Sequence, residues 1–357
     1  MLKSALRDLQ ANSVGPKSSE QQLVSDIIIS HWHGDHVGGI PSVLKLLRDL
    51  WVEDSQVSES SPKPSYHPPK LHKYPIPTAS DGEHTNAEWN SLPKILQDVA
   101  RYEEQLYSPT PDGGLFHPLV DSQVFQVGSD ALGKGGKTLL KILHTPGHTV
   151  DSISIYIPAD KALYTADTVL GHGTAVFEDL ATYLASLNKM LKFGSSAPSS
   201  PSLTPSASQS VTTDQEKWVD HEGEPIDLAY VSLYPAHGQV VAQGRELIST
   251  YIKHRLEREA QILSVLGSEV PEEFREEGKG SSLDGEEDGR TYWTTWTLVK
   301  AIYKSYPESL WLPAARGVML HMKKLEGEGA VKRVGNEEGK DIRWEVQTSD
   351  GRRVALL

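Results

Sequence analysis

Apolar positions recur along this chain in two periods, and the period that holds in each stretch predicts the element. The β-branched run Leu23-Val-Ser-Asp-Ile-Ile-Ile-Ser30 predicts a strand buried on both faces. Further strands are predicted at Val124–Val127, Thr138–Leu143, Ser152–Ile157, Ala162–Thr165 and Leu228–Tyr234. Helical spacing runs through Val43–Leu50, Leu180–Phe193 and Arg245–Leu266. It also runs through Asn86–Leu106, where Trp89, Leu92, Ile95, Leu96, Val99 and Tyr102 form one stripe. At the start, Leu2, Leu6 and Leu9 read as a short amphipathic helix. A transit peptide is the weaker reading, because Asp8 is out of place in one.

Between these elements the composition changes. Ser55–Pro77 is rich in Ser, Pro, Lys and His without periodicity and reads as a surface loop. Gly194–Gln215 has almost nothing to bury and reads as disordered. Pro271–Arg290 is acidic and Gly-rich, the composition of a linker, and helical patterning resumes from Thr291 to Val334. The expected organisation is a catalytic domain over 1–266 with inserts near 55–115 and 194–215. An acidic linker over 267–290 and a small helical domain over 291–357 follow. The fold class is α/β.

Charge and composition narrow the chemistry. A net charge of −13 argues against a protein that coats nucleic acid through its overall field. No apolar run reaches the roughly 20 residues of a membrane span, so no membrane partner is expected. Cysteine is absent, which removes disulfides, thiolate metal sites and cysteine nucleophiles. Any metal must then be held by imidazole and carboxylate. No Gly-x-Ser-x-Gly turn occurs, so no serine nucleophile of that kind is on offer.

The densest cluster of ligand-type residues follows the first predicted strand, at His31-Trp-His33-Gly-Asp35-His36. In an extended turn His31 and His33 point one way, while Asp35 and His36 reach a second point nearby. Three more candidates each follow a predicted strand: His148 in His144-Thr-Pro-Gly-His148, Asp167 in Thr165-Ala-Asp167-Thr, and His237 in Tyr234-Pro-Ala-His237-Gly. Strand ends are where a rigid scaffold presents ligands. His172, in Gly171-His172-Gly173, faces the substrate or is a plain loop histidine. His67, His72, His84, His117, His144 and His254 match no ligand position.

This set resembles the metallo-β-lactamase superfamily, whose members share an αββα sandwich with a dinuclear site at one edge. By that resemblance His31, His33 and His148 hold the first metal; Asp35, His36 and His237 hold the second; Asp167 bridges them. It implies two zinc ions about 3.5 Å apart sharing a hydroxide, with Asp35 as ligand and proton acceptor. Thr165–Leu180 and Tyr251–Leu263 resemble the lactamase-beta-like group that includes a mitochondrial single-strand endoribonuclease. Leu298–Tyr303 and Ala314–Glu326 resemble that group's winged-helix-like tail. Cleavage of single-stranded RNA is therefore the first functional expectation, with Lys300, Lys304, Arg316, Lys323, Lys324, Lys332 and Arg333 as candidate phosphate contacts. A cytoplasmic location is expected, with the mitochondrial matrix as the alternative. The second expectation is a thioesterase acting on acyl-carrier-protein-bound polyketides, since related fungal enzymes share the His-Trp-His-x-Asp-His and Gly-His-Gly patterns. On this reading His172 joins Asp35 as a catalytic residue. Family members carry several strands before the first histidine motif, and only about thirty residues precede His31 here. The third expectation is accordingly a shortened, inactive isoform of the sandwich lacking its first strands.

Overall fold

A computed structural model describes residues 1–12, 23–56, 65–76, 92–100, 105–127, 138–195, 228–279 and 290–347. They divide into two compact units, Met1–Val176 with Ser186–Ile248, and Phe177–Ala185 with Ser249–Leu357.

In the first unit, β1 (Asp26–Ile29), β2 (Lys70–Lys73) and β3 (Phe116–Pro118) form a parallel sheet in that order. A second sheet of five strands runs β4 (Val124–Val127), β5 (Thr138–His144), β6 (Ile153–Ile157), β7 (Ala162–Ala166) and β8 (Ser232–Pro235). Its first four strands are antiparallel neighbours, and β8 joins β7 in parallel. Because successive strand residues point to opposite faces, the Ile27-Ile28-Ile29 run serves two cores. Ile28 packs with Leu119, Ile142 and Ile153 between the sheets. Ile29 lies on the other face with Val37, Ile40, Leu44, Ile95 and Val99. Those residues come from α2 (Gly34–Val37), α3 (Ile40–Gln56) and α4 (Leu92–Ala100). The first helix, α1 (Leu2–Asn12), buries Leu6 against Leu47 and Leu50 of α3. On the five-stranded sheet, α5 (Leu180–Lys192) contributes Met190, whose sulfur meets the Ser154 hydroxyl and whose carbonyl accepts from Tyr230.

The second unit holds most of α6 (Gly244–Leu266), then α7 (Thr295–Ile302) and α8 (Trp311–Gly327). Its small antiparallel sheet has the order β10 (Val331–Val334), β11 (Arg343–Val346), β9 (Trp293–Thr294). Thr294 closes a reciprocal capping box with Thr297 at the start of α7. Ile262, Leu298, Val318, Met322 and Trp344 make its core.

Two stretches differ from their sequence reading. Ser55–Pro77, expected to be a loop within an insert, supplies β2, the central strand of the first sheet. Only Leu71 is aliphatic in Lys70-Leu-His-Lys73, and the buried polar neighbours take partners instead: His72 meets Asp26 and Lys73 meets Asp151. Polar residues paired in the interior erase the alternation that betrays a strand. The described part of the expected 267–290 linker is folded, since Val270 and Phe274 enter the second core. The tract expected to be disordered, Gly194–Gln215, lies almost wholly outside the described residues; of the expected Asn86–Leu106 helix, residues 86–91 and 101–104 lie outside them, and 105–106 are not helical.

Candidate metal centre

Each side chain of the site leaves a sheet at a strand end. Beyond β1, Ser30 and His31 lead to His33, which precedes the single turn of α2 and accepts from the His36 and Val37 amides. That turn carries Asp35 and His36. Beyond β5, the loop 145–152 carries His148 and is closed on itself. Thr145 N donates to Ser152 O at 2.9 Å, and Thr149 N donates to Ser152 Oγ at 3.1 Å.

β7 ends in a register shift where Ala166 takes a left-handed conformation with φ +46°. A non-glycine residue held there is strained, and strain of this kind persists where surrounding structure imposes it. Here it turns Asp167 out of the sheet. Ala236, past β8, donates its amide to Ala166 O at 3.1 Å and so sets His237 beside Asp167. The loop after Asp167 meets the one after His237 backbone to backbone. Gly171 N donates to His237 O at 2.8 Å, and a Cβ on Gly171 would sit 2.2 Å from Gln239 O, so only glycine fits.

The seven side chains named from the sequence converge into two groups that share Asp167: His31, His33, His148, Asp167 and Asp35, His36, Asp167, His237. In the first, His148 Nε2 lies 3.2 Å from His31 Nε2 and 3.0 Å from His33 Nδ1, and those two lie 3.1 Å apart. Asp167 Oδ2 stands 3.9 Å from His31 Nε2 and 3.8 Å from His148 Nε2. In the second, Asp35 Oδ2 is 3.1 Å from His237 Nε2 and 3.5 Å from His36 Nε2. Asp167 faces both groups: Oδ2 is 3.5 Å from His36 Nε2 and Oδ1 is 3.5 Å from His237 Nε2.

This donor set fits metal ions better than hydrogen bonding. His148 Nδ1 donates to Val176 O at 2.8 Å, which leaves its Nε2 as a lone pair. Three nitrogens at mutual contact cannot then all be paired through N–H groups. Around a tetrahedral ion with metal–nitrogen bonds near 2.0–2.1 Å, ligand nitrogens stand roughly 3.3–3.4 Å apart. Buried His36 Nε2 and Asp167 Oδ1 also have no hydrogen-bond partner among the described residues, an expensive arrangement unless something else satisfies them.

Electrostatics favour the ligand-competent forms. Burial, then the neighbouring imidazoles, pushes His31 well below the ordinary histidine range and His33 down to about 4. Burial lowers His148 as well. Burial works to raise the Asp167 carboxyl, but His36, His148 and His237 outweigh it and hold it below the usual carboxylate range. His31, His148 and Asp167 are buried and His33 is half-buried, whereas the Asp35 and His237 side chains are 58 % and 46 % exposed. The second group is therefore the one open to solvent.

His172 is exposed on the loop after Asp167, with its Nδ1 2.6 Å from where a Cβ on Gly238 would sit. The structure puts it on the rim beside His237, outside both groups. His72, His117 and His144 hydrogen-bond elsewhere, to Asp26, Ser108 O and Val150 O. His67 contacts Ser65, and His254 is exposed; His84 lies outside the described residues. Sequence reasoning missed Ser30, whose hydroxyl lies 3.2 Å from Nδ1 of both His31 and His36. It also missed the Val176 carbonyl. A serine before the motif and a backbone oxygen carry no signal of their own in a single sequence.

Comparisons with known proteins place the chain in a family. A family model described as the Metallo-beta-lactamase superfamily matches residues 19–197, and one described as the Beta-lactamase associated winged helix domain matches residues 294–344. The Beta-lactamase-like protein 2 homolog of Drosophila melanogaster is 27 % identical over 313 residues, which is 88 % of this chain and 72 % of that protein. The Atrochrysone carboxyl ACP thioesterase of Claviceps purpurea is 25 % identical over 250 residues, 70 % of this chain and 50 % of that protein. The crystal structure of a beta-lactamase domain protein from Burkholderia ambifaria has a TM-score of 0.50 at 14 % identity, covering 91 % of this chain and 74 % of that one, a likeness of fold.

Proposed function

This chain belongs to the metallo-beta-lactamase superfamily, with a C-terminal winged-helix domain, and from that premise we propose that it is a two-zinc hydrolase of acyl thioesters. The observation that carries the reading is the pair of side-chain groups joined at Asp167, one buried and one open. Donors of imidazole and carboxylate alone suit zinc. His31, His33 and His148 would hold one ion, Asp35, His36 and His237 the other, and Asp167 would lie between them. When bound, such ions lower the pKa of a water towards neutrality and polarise the scissile carbonyl. Asp35, exposed at the open group, is placed to take a proton from the attacking water. His172 on the rim is placed to meet the leaving group.

The substrate follows from what surrounds the open face. The loops 31–40, 145–152, 166–176 and 235–243 contain no lysine or arginine. Exposed on them are Val176 at 72 % and Val240 at 66 %. Such a rim suits an apolar acyl chain better than a polyanion. The thioesterase named among the relatives supports the same class.

Single-stranded RNA is the second reading, favoured by the winged-helix domain and by Arg316 and Lys323, which are exposed on α8. The other basic residues expected to hold phosphate are engaged: Lys300 with Glu277, Lys304 with Glu273, Lys324 with Glu259, Lys332 with Glu345 and Arg333 with Glu326. The deciding experiment gives zinc-loaded protein an acyl thioester and a labelled single-stranded RNA in parallel, with chelated protein as control. Zinc-dependent thioester turnover with intact RNA is the expected result. RNA cleavage with an intact thioester reverses the assignment, and turnover of neither leaves a fold without catalysis.

A further inference from the structure

The three nitrogens of the buried group come from two different sheets. His31 and His33 follow β1, whereas His148 follows β5 in the other sheet. Their spacing of 3.0–3.2 Å therefore depends on how one sheet stands over the other. An ion tolerates errors of only about 0.2 Å in its ligand distances. Apolar packing between the sheets is non-directional and cannot by itself set such a register.

Two links cross between the sheets there: Ile153 N in β6 donates to Ser30 O, beside His31, at 3.1 Å, and a buried ion pair joins β2 to the loop of His148. Lys73 ends β2, the neighbour of β1, and its ammonium meets Asp151 Oδ2 in the loop that carries His148. Both side chains are buried, at 5 % and 0 % exposure. On the loop side, Asp151 Oδ1 accepts from the Thr149 hydroxyl at 2.7 Å, and Thr149 is the residue after His148. On the strand side, Lys73 also donates to Tyr74 O at 3.3 Å. A buried ion pair adds little net stability over a well-packed neutral pair, because desolvation offsets the attraction. Its advantage is direction, since two charges fixed by further hydrogen bonds specify one arrangement. We propose that Lys73 and Asp151 are positioning residues that set the inter-sheet register of the His31, His33 and His148 site, and so the affinity of the buried ion. This rests on the two-ion reading above.

The test replaces the pair by a neutral one of similar size, Lys73→Met with Asp151→Asn, because removing one partner alone strands a buried charge. Ion affinities are measured by chelator competition on zinc protein and by the visible spectrum of the cobalt form. His148→Ala and His237→Ala serve as references for loss of the buried and the open ion. The expected result is a metal-free melting temperature close to that of the parent, a roughly 10–100-fold weaker buried ion, the loss typical of an outer partner of a ligand, and an unchanged open ion. If the double variant does not fold, Asp151→Glu keeps the charges and lengthens the link. It is expected to show the same selective weakening. Unchanged affinity for the buried ion overturns the proposal, and so does an equal loss at both ions in step with a lower metal-free melting temperature. A parent protein that binds no ion overturns the two-ion reading instead.

Discussion

At the scale of single residues, Asp167 and His144 separate the site from its surroundings. Asp167 offers an oxygen to each group, whereas His144 stacks on Tyr74 at 3.7 Å and donates towards Val150 O. Asp167→Ala is expected to cost more than the roughly 10–100-fold that an outer partner is worth and to abolish turnover. His144→Ala should retain most activity. Steady-state rates with metal content measured on the same samples check this, and equal losses would mean the ligands are misassigned. The histidines also set a pH dependence for the metal-free protein. His33 lies at about 4, below its ordinary 6.5, and His31 and His148 are lowered too. Between those limits the unfolded chain binds more protons than the native one, so stability is fully present above about 6.5 and lost as pH falls towards 4. A thermal-denaturation series on chelated protein should show the melting temperature falling over that window. A flat profile there would contradict the burial of these rings as neutral groups.

At the scale of elements, strand ends place the site, and α8 carries two exposed cations that bear on the RNA reading. Arg316 and Lys323 are its exposed cations without an ion pair among the described residues. Reversing both to glutamate is expected to leave thioester turnover unchanged. If RNA is the ligand instead, two lost phosphate contacts should flatten the log–log salt slope of binding by about 1.4 for a single strand. A salt titration of RNA binding reads this directly. Legibility at this scale followed burial chemistry. β5, β6 and β7 showed themselves as apolar runs because one face or both are largely buried, and β1 because its isoleucines face two cores although only Ile29 is fully buried. β2 did not, because His72 and Lys73 are buried through Asp26 and Asp151 rather than through apolarity. β9, β10 and β11 are only two to four residues long, too short for a period of two to stand out.

At the scale of the whole molecule, the central expectation is stoichiometry. Seven donors in two groups exceed one tetrahedral site, so reconstituted protein should hold two zinc ions, and elemental analysis after dialysis counts them. At metal one hundred times above Kd the stabilisation is about 2.7 kcal/mol per ion, visible as a rise in melting temperature that a chelator reverses. Zinc at trace level with no such shift would remove the two-ion reading.

The seven side chains that gather into the two groups were legible in the sequence as candidates, because imidazoles and carboxylates placed after apolar runs keep their strand-end location, while the role of each came from the family resemblance. The absence of cysteine was equally plain. Only the tertiary structure decided which donors stand near 3 Å from one another, which group is buried and which open, and which lysines of the tail are already paired. It alone brought Ser30, the Val176 carbonyl and the Lys73–Asp151 pair to the site. Those relations join residues up to more than a hundred positions apart, and a distance across two sheets is set by tertiary contacts, which no local pattern in the chain records.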